Sequence, residues 1–245
     1  MSESMIEKIK NGKGYWYVRI RPVDEFYKKN LFDMTQLREI INSTQVRYRG
    51  WYYPHIQKPA VIGEGVLGDS VSFEGFLEHW NLYRSGQFEH YFAMREDFTV
   101  SPEKLEKIKS SFPFNKDDSK SVEKLLEIVS TIYRMTEIYL FATNLAQNIH
   151  FRSITKFEIT IELKGVKDRM LFVWEWGREL WSPYICHRID DTIRFQDEYK
   201  KDDLILNSKI IALDQVKEIF ENFNWEKPNT DSISTDQDKF LQGRY

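Results

Sequence analysis

The segment from residue 119 to about residue 149 constrains the fold of this chain more than any other. Its apolar residues recur with helical spacing, and further apolar positions widen the stripe to most of the helix circumference. The residues that define this pattern are Leu125, Ile128, Val129, Ile132, Tyr133, Met135, Thr136, Ile138, Tyr139, Leu140, Ala142 and Leu145. A helix that is apolar on most sides must be covered on most sides. The sequence therefore predicts one long buried helix at the centre of the core.

The segments that flank this helix alternate apolar and polar residues with the period of two that is typical of half-buried strands. Before the helix, the pattern predicts strands at residues 15–21 and 45–53 and a hairpin of residues 71–83 with 88–94. After it, strands are predicted at residues 155–164, 169–176, 192–196 and 203–211, and a last helix at residues 213–223. Strands that follow one another directly are antiparallel. The sequence thus predicts an α+β fold, with antiparallel meanders and hairpins packed on one long buried helix and a C-terminal helix.

The polar segment 112–118 is the predicted boundary between two lobes, because its proline, asparagine and aspartates favour a loop. Residues 1–115 then form a basic, aromatic, β-rich lobe, and residues 116–227 form an α+β lobe around the long helix. Residues 228–245 form a polar tail. The tail ends with three apolar residues, Phe240, Leu241 and Tyr245. We expect these anchors to dock the tail in a groove, on a neighbouring subunit rather than on its own chain.

The composition indicates a globular protein of a reducing compartment. Of the 245 residues, 30% are charged and 41% are hydrophobic, which is typical of globular chains. The apolar runs are much shorter than the ~20 residues that span a bilayer, and the acidic first residues do not resemble a signal peptide. The single cysteine, Cys186, cannot form an internal disulfide. The sequence therefore predicts a cytoplasmic protein with no membrane association.

Positive charge is concentrated near the start of the chain. Residues 1–60 contain eleven Lys and Arg against six Asp and Glu, whereas the whole chain has a net charge of −3. On the two strands predicted there, arginines alternate with aromatic rings on a common face. Such a face can bind single-stranded nucleic acid, can bind a protein, or can be covered by the rest of the chain. The candidate binding residues are Tyr15, Tyr17, Arg19, Arg21, Arg47, Arg49, Trp51, Tyr53 and His55.

Five short motifs resemble sequences in an uncharacterised group of bacterial proteins. One is Arg49-Gly50-Trp51-x-x-Pro54-His55, and another is Trp16-x-x-x-Ile20-Arg21-Pro22. The others lie at residues 136–146, 161–165 and 219–225, so the resemblance extends from about residue 15 to residue 225. Members of this group sometimes lie beside predicted DNA-binding modules or in defence-type gene neighbourhoods. The resemblance implies a bacterial, DNA-associated setting and assigns no catalytic residue.

Three patterns that are typical of enzymes lack the context that their chemistry requires. Gly63-x-Gly65-x-x-Gly68 matches the dinucleotide fingerprint, but a strand rather than a helix is predicted after it. Glu162-x-Lys164 matches half of a metal-dependent nuclease site, but the preceding element supplies no acidic partner. Cys186 and His187 are neighbours, so on a strand they point to opposite faces.

Three buried or half-buried polar residues are also predicted. His79 and His90 lie on the two arms of the hairpin, with the register of a two-residue turn placing them on one face. Two imidazoles there could hold a metal, but the surrounding aromatic residues favour histidines without one. Glu137 lies in the most apolar part of the long helix. Its carboxylate is therefore predicted to be buried and paired, with Arg134 or with an arginine of a strand.

These patterns together predict a non-catalytic binding or scaffold subunit of a bacterial multi-protein assembly, in nucleic-acid-linked defence or regulation. No cofactor and no metal are expected, and the partner is predicted to be another protein or a second copy of the chain. The first alternative is a direct nucleic-acid-binding module that uses the N-terminal arginine and aromatic face. The second is a metal-dependent nuclease around Glu162 and Lys164.

Overall fold

One seven-stranded antiparallel sheet forms the main layer of the protein. The computed structural model describes residues 4–23, 30–112, 118–174 and 178–244. The strands are β1 (Tyr15–Pro22), β2 (Ala60–Gly63), β3 (Val66–Phe73), β4 (Phe76–Tyr83), β5 (Phe88–Ala93), β7 (Lys156–Lys164) and β9 (Thr192–Lys200). Their spatial order is β2-β3-β4-β5-β1-β7-β9. Strand β1 lies between β5 and β7, so it joins the strands before the long helix to those after it.

Seven α-helices lie in the described ranges, and the long central helix among them packs on the inner face of this sheet. In chain order they are α1 (Met5–Lys10), α2 (Met34–Thr44), α3 (Glu96–Thr99), α4 (Pro102–Ser110), α5 (Ile128–Gln147), α6 (Lys201–Glu221) and α7 (Thr230–Leu241). Trp16, Val18 and Ile20 of β1 are buried on the inner face. Phe141 of α5 packs against Phe88 of β5 with ring centroids 4.5 Å apart. The α+β class, with antiparallel strands on a long buried helix, is confirmed.

Several predicted element boundaries differ from the structure. Helix α5 begins at Ile128 and not at residue 119, because strand β6 (Lys124–Glu127) pairs in parallel with β8 (Arg169–Phe172) in a separate two-stranded sheet. The strand predicted at residues 203–211 is wrong. These residues belong to α6, in which Leu204, Ser208 and Ala212 are buried at four-residue intervals. A short apolar run does not distinguish a strand from a partly buried helix.

The predicted lobe boundary falls on residues 113–117, outside the described residues. The sheet contains strands from both sides of this segment. One continuous apolar core likewise includes Trp16 and Trp80 from the first part of the chain and Ile138 and Phe220 from the second.

The polar tail contains a helix, α7, that docks on its own chain rather than on a neighbouring subunit. Phe240 is fully buried, with ring centroids 5.5 Å from Tyr48 and 5.0 Å from Tyr133. Asp236 accepts two hydrogen bonds from Arg178, at 2.8 and 3.0 Å. Leu241 packs at the margin of the core, and Tyr245 lies outside the described residues. The composition of this segment did not predict the helix, because few of its residues are apolar.

We predict that Phe240→Ala destabilises the protein by about 3–5 kcal/mol, the usual cost of emptying a buried phenylalanine site. Phe73→Ala is the control, since Phe73 is 55% exposed and its replacement should change stability by less than about 1 kcal/mol. Urea denaturation followed by circular dichroism measures both. Equal midpoints for the two variants would show that α7 does not dock.

Candidate functional site

Strand β1 presents four of the predicted binding residues on the outer face of the sheet, away from α5. Tyr15, Tyr17, Arg19 and Arg21 are all partly exposed. Arg19 and Arg21 donate to the Glu158 carboxylate at 2.9 and 2.6 Å. Burial opposes ionisation of Glu158, but the two guanidinium groups lower its pKa. Glu158 itself is buried beneath the arginines. Both arginines of β1 are therefore paired with a carboxylate of the same sheet.

The strand predicted at residues 45–53 is wrong, and its residues do not share one face. Val46 and Tyr53 form a single isolated bridge, and the chain turns between them in a segment that we call the 47–53 loop. Arg47 stays at the surface, whereas Tyr53 is fully buried. Contacts of Arg49 and Trp51 with two buried carboxylates, rather than a neighbouring strand, fix this loop.

The first buried carboxylate is that of Glu137 on α5. Arg49 donates to both of its oxygens, from Nε and Nη2, at 2.7 Å each. Arg134 donates a third hydrogen bond at 3.2 Å, and its guanidinium lies 4.7 Å from the ring centroid of Phe92. Glu137 is 1% exposed. The predicted burial and pairing of Glu137 is therefore confirmed, with Arg134 and with Arg49, which lies on a loop and not on a strand.

The second buried carboxylate is that of Glu78 on β4. It accepts hydrogen bonds from Trp51 Nε1 at 2.5 Å and from His90 Nε2 at 3.2 Å. Burial alone would raise the pKa of Glu78, but the His90 hydrogen bond, the Arg134 charge and the Trp51 hydrogen bond lower it to about 2. Burial lowers the pKa of His90, while the hydrogen bond and the charge of Glu78 act in the opposite direction. The indole of Trp51 is also stacked between His55, at 4.0 Å, and Phe76, at 4.3 Å.

Members of both pairs, Arg49, Trp51 and Glu78, line a half-enclosed cleft of about 260 Å³. The 47–53 loop, β4, β5 and the first turn of α5 form its walls. Its lining combines aromatic rings, arginines and carboxylates, among them Trp51, Phe76, Trp174, Arg49, Arg95, Arg134, Glu78, Glu96 and Glu127. Arg95 lies over Phe76, 4.4 Å from the ring centroid. The cleft thus places fixed charges beside planar apolar surface.

Two further carboxylates in the cleft cap the backbone. Glu127 accepts from the backbone N–H groups of Ser130 and Trp174, and Glu96 accepts from the backbone N–H of Glu127 at 3.0 Å. Burial raises the pKa of both Glu96 and Glu127. The N-terminus of α5 is therefore occupied by Glu127 and is not open to an anion from outside.

A wider groove of about 1,280 Å³ adjoins the cleft and shares Glu127, Ser130 and Trp174 with it. Its cations come from α4 and from the C-terminal end of the chain, and they are Lys104, Lys107, Lys239 and Arg244. Its carboxylates are the capping Glu127 and Asp236, which is paired with Arg178. Trp174 is 44% exposed, and Lys104 Nζ lies 2.9 Å from its ring centroid. The groove is therefore basic and has an accessible aromatic ring.

The structure separates the two histidines that were predicted to share a face. Leu82 pairs with Phe88, and the Tyr83 N–H donates to the Gln87 carbonyl. The hairpin loop therefore has three residues, 84–86, instead of two, and the register moves by one. His90 then lies opposite Trp80 on the inner face, whereas His79 lies opposite Tyr91 on the outer face. His79 contacts Ser70 and Asn81 there.

The enzyme-like patterns occupy ordinary structural positions. Gly65, with φ of +72°, turns the chain from β2 into β3, so a strand follows the glycine motif as predicted. Glu162 pairs with Lys164 at 3.0 Å and with Arg194 at 3.4 Å. Cys186 is buried, whereas His187 is exposed.

Comparisons with protein-family models, with curated proteins and with solved structures found no match to this chain. Within the described ranges, no group of three or more His, Cys, Asp or Glu side chains could hold a metal ion. No helix in those ranges has the length and apolar character needed to cross a bilayer.

The sequence patterns identified some of the cleft and none of the groove. Arg49 and Trp51 line the cleft, although they were assigned to a strand face. The sequence analysis did not identify Glu78. It is the one acidic residue in the run from Phe76 to Tyr83. A carboxylate in such an apolar run is expected to be buried and paired, as was predicted for Glu137. The groove cations were missed because they come from segments far apart in sequence.

We predict that Glu78 contributes stability that is fully present at neutral pH and is lost as the pH falls from about 4.5 to about 2. The sign follows because its folded pKa is lower than its unfolded pKa, so protonation favours unfolding. The free energy of unfolding of the wild type should exceed that of Glu78→Gln by up to about 3 kcal/mol at pH 7. Urea titrations at several pH values measure this difference. A difference that does not shrink in acid would contradict an ionised, paired Glu78.

Proposed function

We propose that the protein is a non-catalytic binding subunit that holds an anionic partner in the basic groove. The observation that supports this best is that three cations of the groove lack a carboxylate partner among the described residues. Lys104, Lys107 and Arg244 line the groove and have no carboxylate partner in the part of the chain that the structure describes. A concave surface with one sign of charge attracts and concentrates ligands of the opposite sign. An anionic partner would supply the missing counter-charge.

The state of the carboxylates supports binding rather than acid–base catalysis. Glu78 and Glu137 are held by donors from fixed side chains, and Glu96 and Glu127 are held by backbone N–H groups. Each of these hydrogen bonds holds a part of the cleft wall in place. We therefore assign the four carboxylates a structural role.

The groove is a better candidate than the outer sheet face. Arg19 and Arg21 on that face are paired with Glu158, so their charges would have to be released before they could bind a partner. The proposed place in a bacterial multi-protein assembly, in nucleic-acid-linked defence or regulation, rests on the resemblance of the motif from Arg49 to His55.

Chromatography on immobilised heparin, a generic polyanion, tests this proposal. The wild type should be retained at neutral pH although its net charge is −3, because retention depends on the local groove charge. Lys104→Glu combined with Lys107→Glu should elute at a much lower salt concentration, since both groove cations of α4 are reversed.

The matched control is Lys58→Glu combined with Lys227→Glu. These lysines are exposed and do not line the groove, and the control makes the same change in net charge. It should elute close to the wild type. A wild type that flows through, or equal shifts for the two double variants, would contradict the proposed function. Circular dichroism checks that both variants are folded.

A further inference from the structure

We infer that the anionic partner is a single strand of nucleic acid, with phosphates along the groove cations and bases stacked at Trp174. This inference rests on the proposed function and names the chemical class of the partner. Three observations support it: the shape and charge of the groove, the position of Trp174, and the arrangement of the cations around that ring.

The groove cations come from two separate elements, and a flexible polyanion can contact both. Lys104 and Lys107 are three residues apart on α4, so their side chains lie on one face of that helix. Arg244, just after α7, also lines the groove. At about 1,280 Å³ the groove exceeds the roughly 300–1,000 Å³ of pockets that enclose drug-sized ligands, and it is open along its length. An extended chain of phosphates fits these features better than a single phosphate does.

Trp174 adds an exposed aromatic ring, which a site for a simple polyanion does not need. Its indole lines both the groove and the cleft and is 44% exposed. A perpendicular contact with Phe172, 5.1 Å between ring centroids, holds its orientation. Grooves that bind single strands combine cations for the backbone with aromatic rings on which bases stack. An acidic peptide would satisfy the cations but would make no comparable use of the ring.

Lys104 links the two kinds of contact. Its ammonium lies over the face of the indole, 2.9 Å from the ring centroid, and burial lowers its pKa. A phosphate at the rim would draw this ammonium away from the ring, which would open the indole face to the adjacent base. In a duplex the bases are paired and stacked on each other and are not available to Trp174. The site therefore favours single strands over duplexes.

Fluorescence anisotropy with labelled oligothymidine, oligouridine and a DNA duplex tests this inference, with strands of about 16 nucleotides, the upper end of single-strand site sizes. The full chain should bind oligothymidine or oligouridine more tightly than the duplex, and the tighter of the two shows whether DNA or RNA is preferred. Plots of log affinity against log salt should lose about 1.4 in slope for Lys104→Glu with Lys107→Glu, because each lost phosphate contact is worth about 0.7.

Trp174→Ala tests the stacking contact and should weaken single-strand binding about 5-fold to 100-fold. The matched control is Trp181→Ala, since Trp181 is 74% exposed and does not line the groove. It should leave the affinity unchanged. Equal loss for the two tryptophan variants, equal affinity for duplex and single strand, or no binding of either single strand would overturn the inference.

The heparin experiment distinguishes failure of the nucleic-acid inference from failure of the proposed function. If heparin retention depends on Lys104 and Lys107 but single strands do not bind preferentially, the protein holds an anionic partner of another class. If heparin retention also fails, both the groove function and its assignment to nucleic acid are wrong.

Discussion

The structure depends on the burial of two carboxylates, Glu78 and Glu137, against the inner face of one sheet. A carboxylate removed from water is tolerated only when it is paired and its oxygens are hydrogen-bonded. Both conditions are met by residues of the 47–53 loop, since Arg49 binds Glu137 and Trp51 binds Glu78. An irregular loop is thereby joined to the central helix and to strand β4.

The position of this loop determines the shape of the candidate site. With Arg49 and Trp51 turned inward, the loop forms one wall of the cleft, and the first turn of α5 forms another. Glu127 occupies the N-terminus of α5 and also binds the backbone of Trp174, which holds that residue where the cleft meets the groove. The buried carboxylates of the cleft therefore accept hydrogen bonds from within the protein, whereas Lys104 and Lys107 of the groove are exposed to solvent. This division is the basis on which we propose binding, rather than acid–base chemistry, as the function.

The sequence predicts the periodic parts of the fold and not the parts that need a distant partner. Strand β1 follows from local spacing, and the burial and pairing of Glu137 follow from the cost of an unpaired charge. The sequence does not predict that Arg49 is the partner of Glu137. The residues of the 47–53 loop alternate as they would in a strand, and only the folded structure shows that Arg49 lies beside Glu137. Helix α7 has too few apolar residues to predict, and its stability comes from contacts with α5 and α6. The groove joins residues from α4, α7 and the segment after β8, so no local pattern could indicate it.

A double-mutant cycle between Arg49 and Glu137 tests the central claim most directly. Arg49→Met and Glu137→Met should each cost about 3 kcal/mol, because the first leaves the buried Glu137 carboxylate with only the longer Arg134 hydrogen bond and the second removes the carboxylate that both arginines bind. The double variant should cost less than the two single variants together, with a coupling of at least ~1 kcal/mol, and Arg47→Met should change stability by less than about 0.5 kcal/mol because Arg47 is exposed. Urea unfolding of the four proteins and the Arg47 control measures these values. Effects that add to within about 0.5 kcal/mol, or an Arg49 variant as stable as the Arg47 variant, would show that the buried pair does not hold the loop in place.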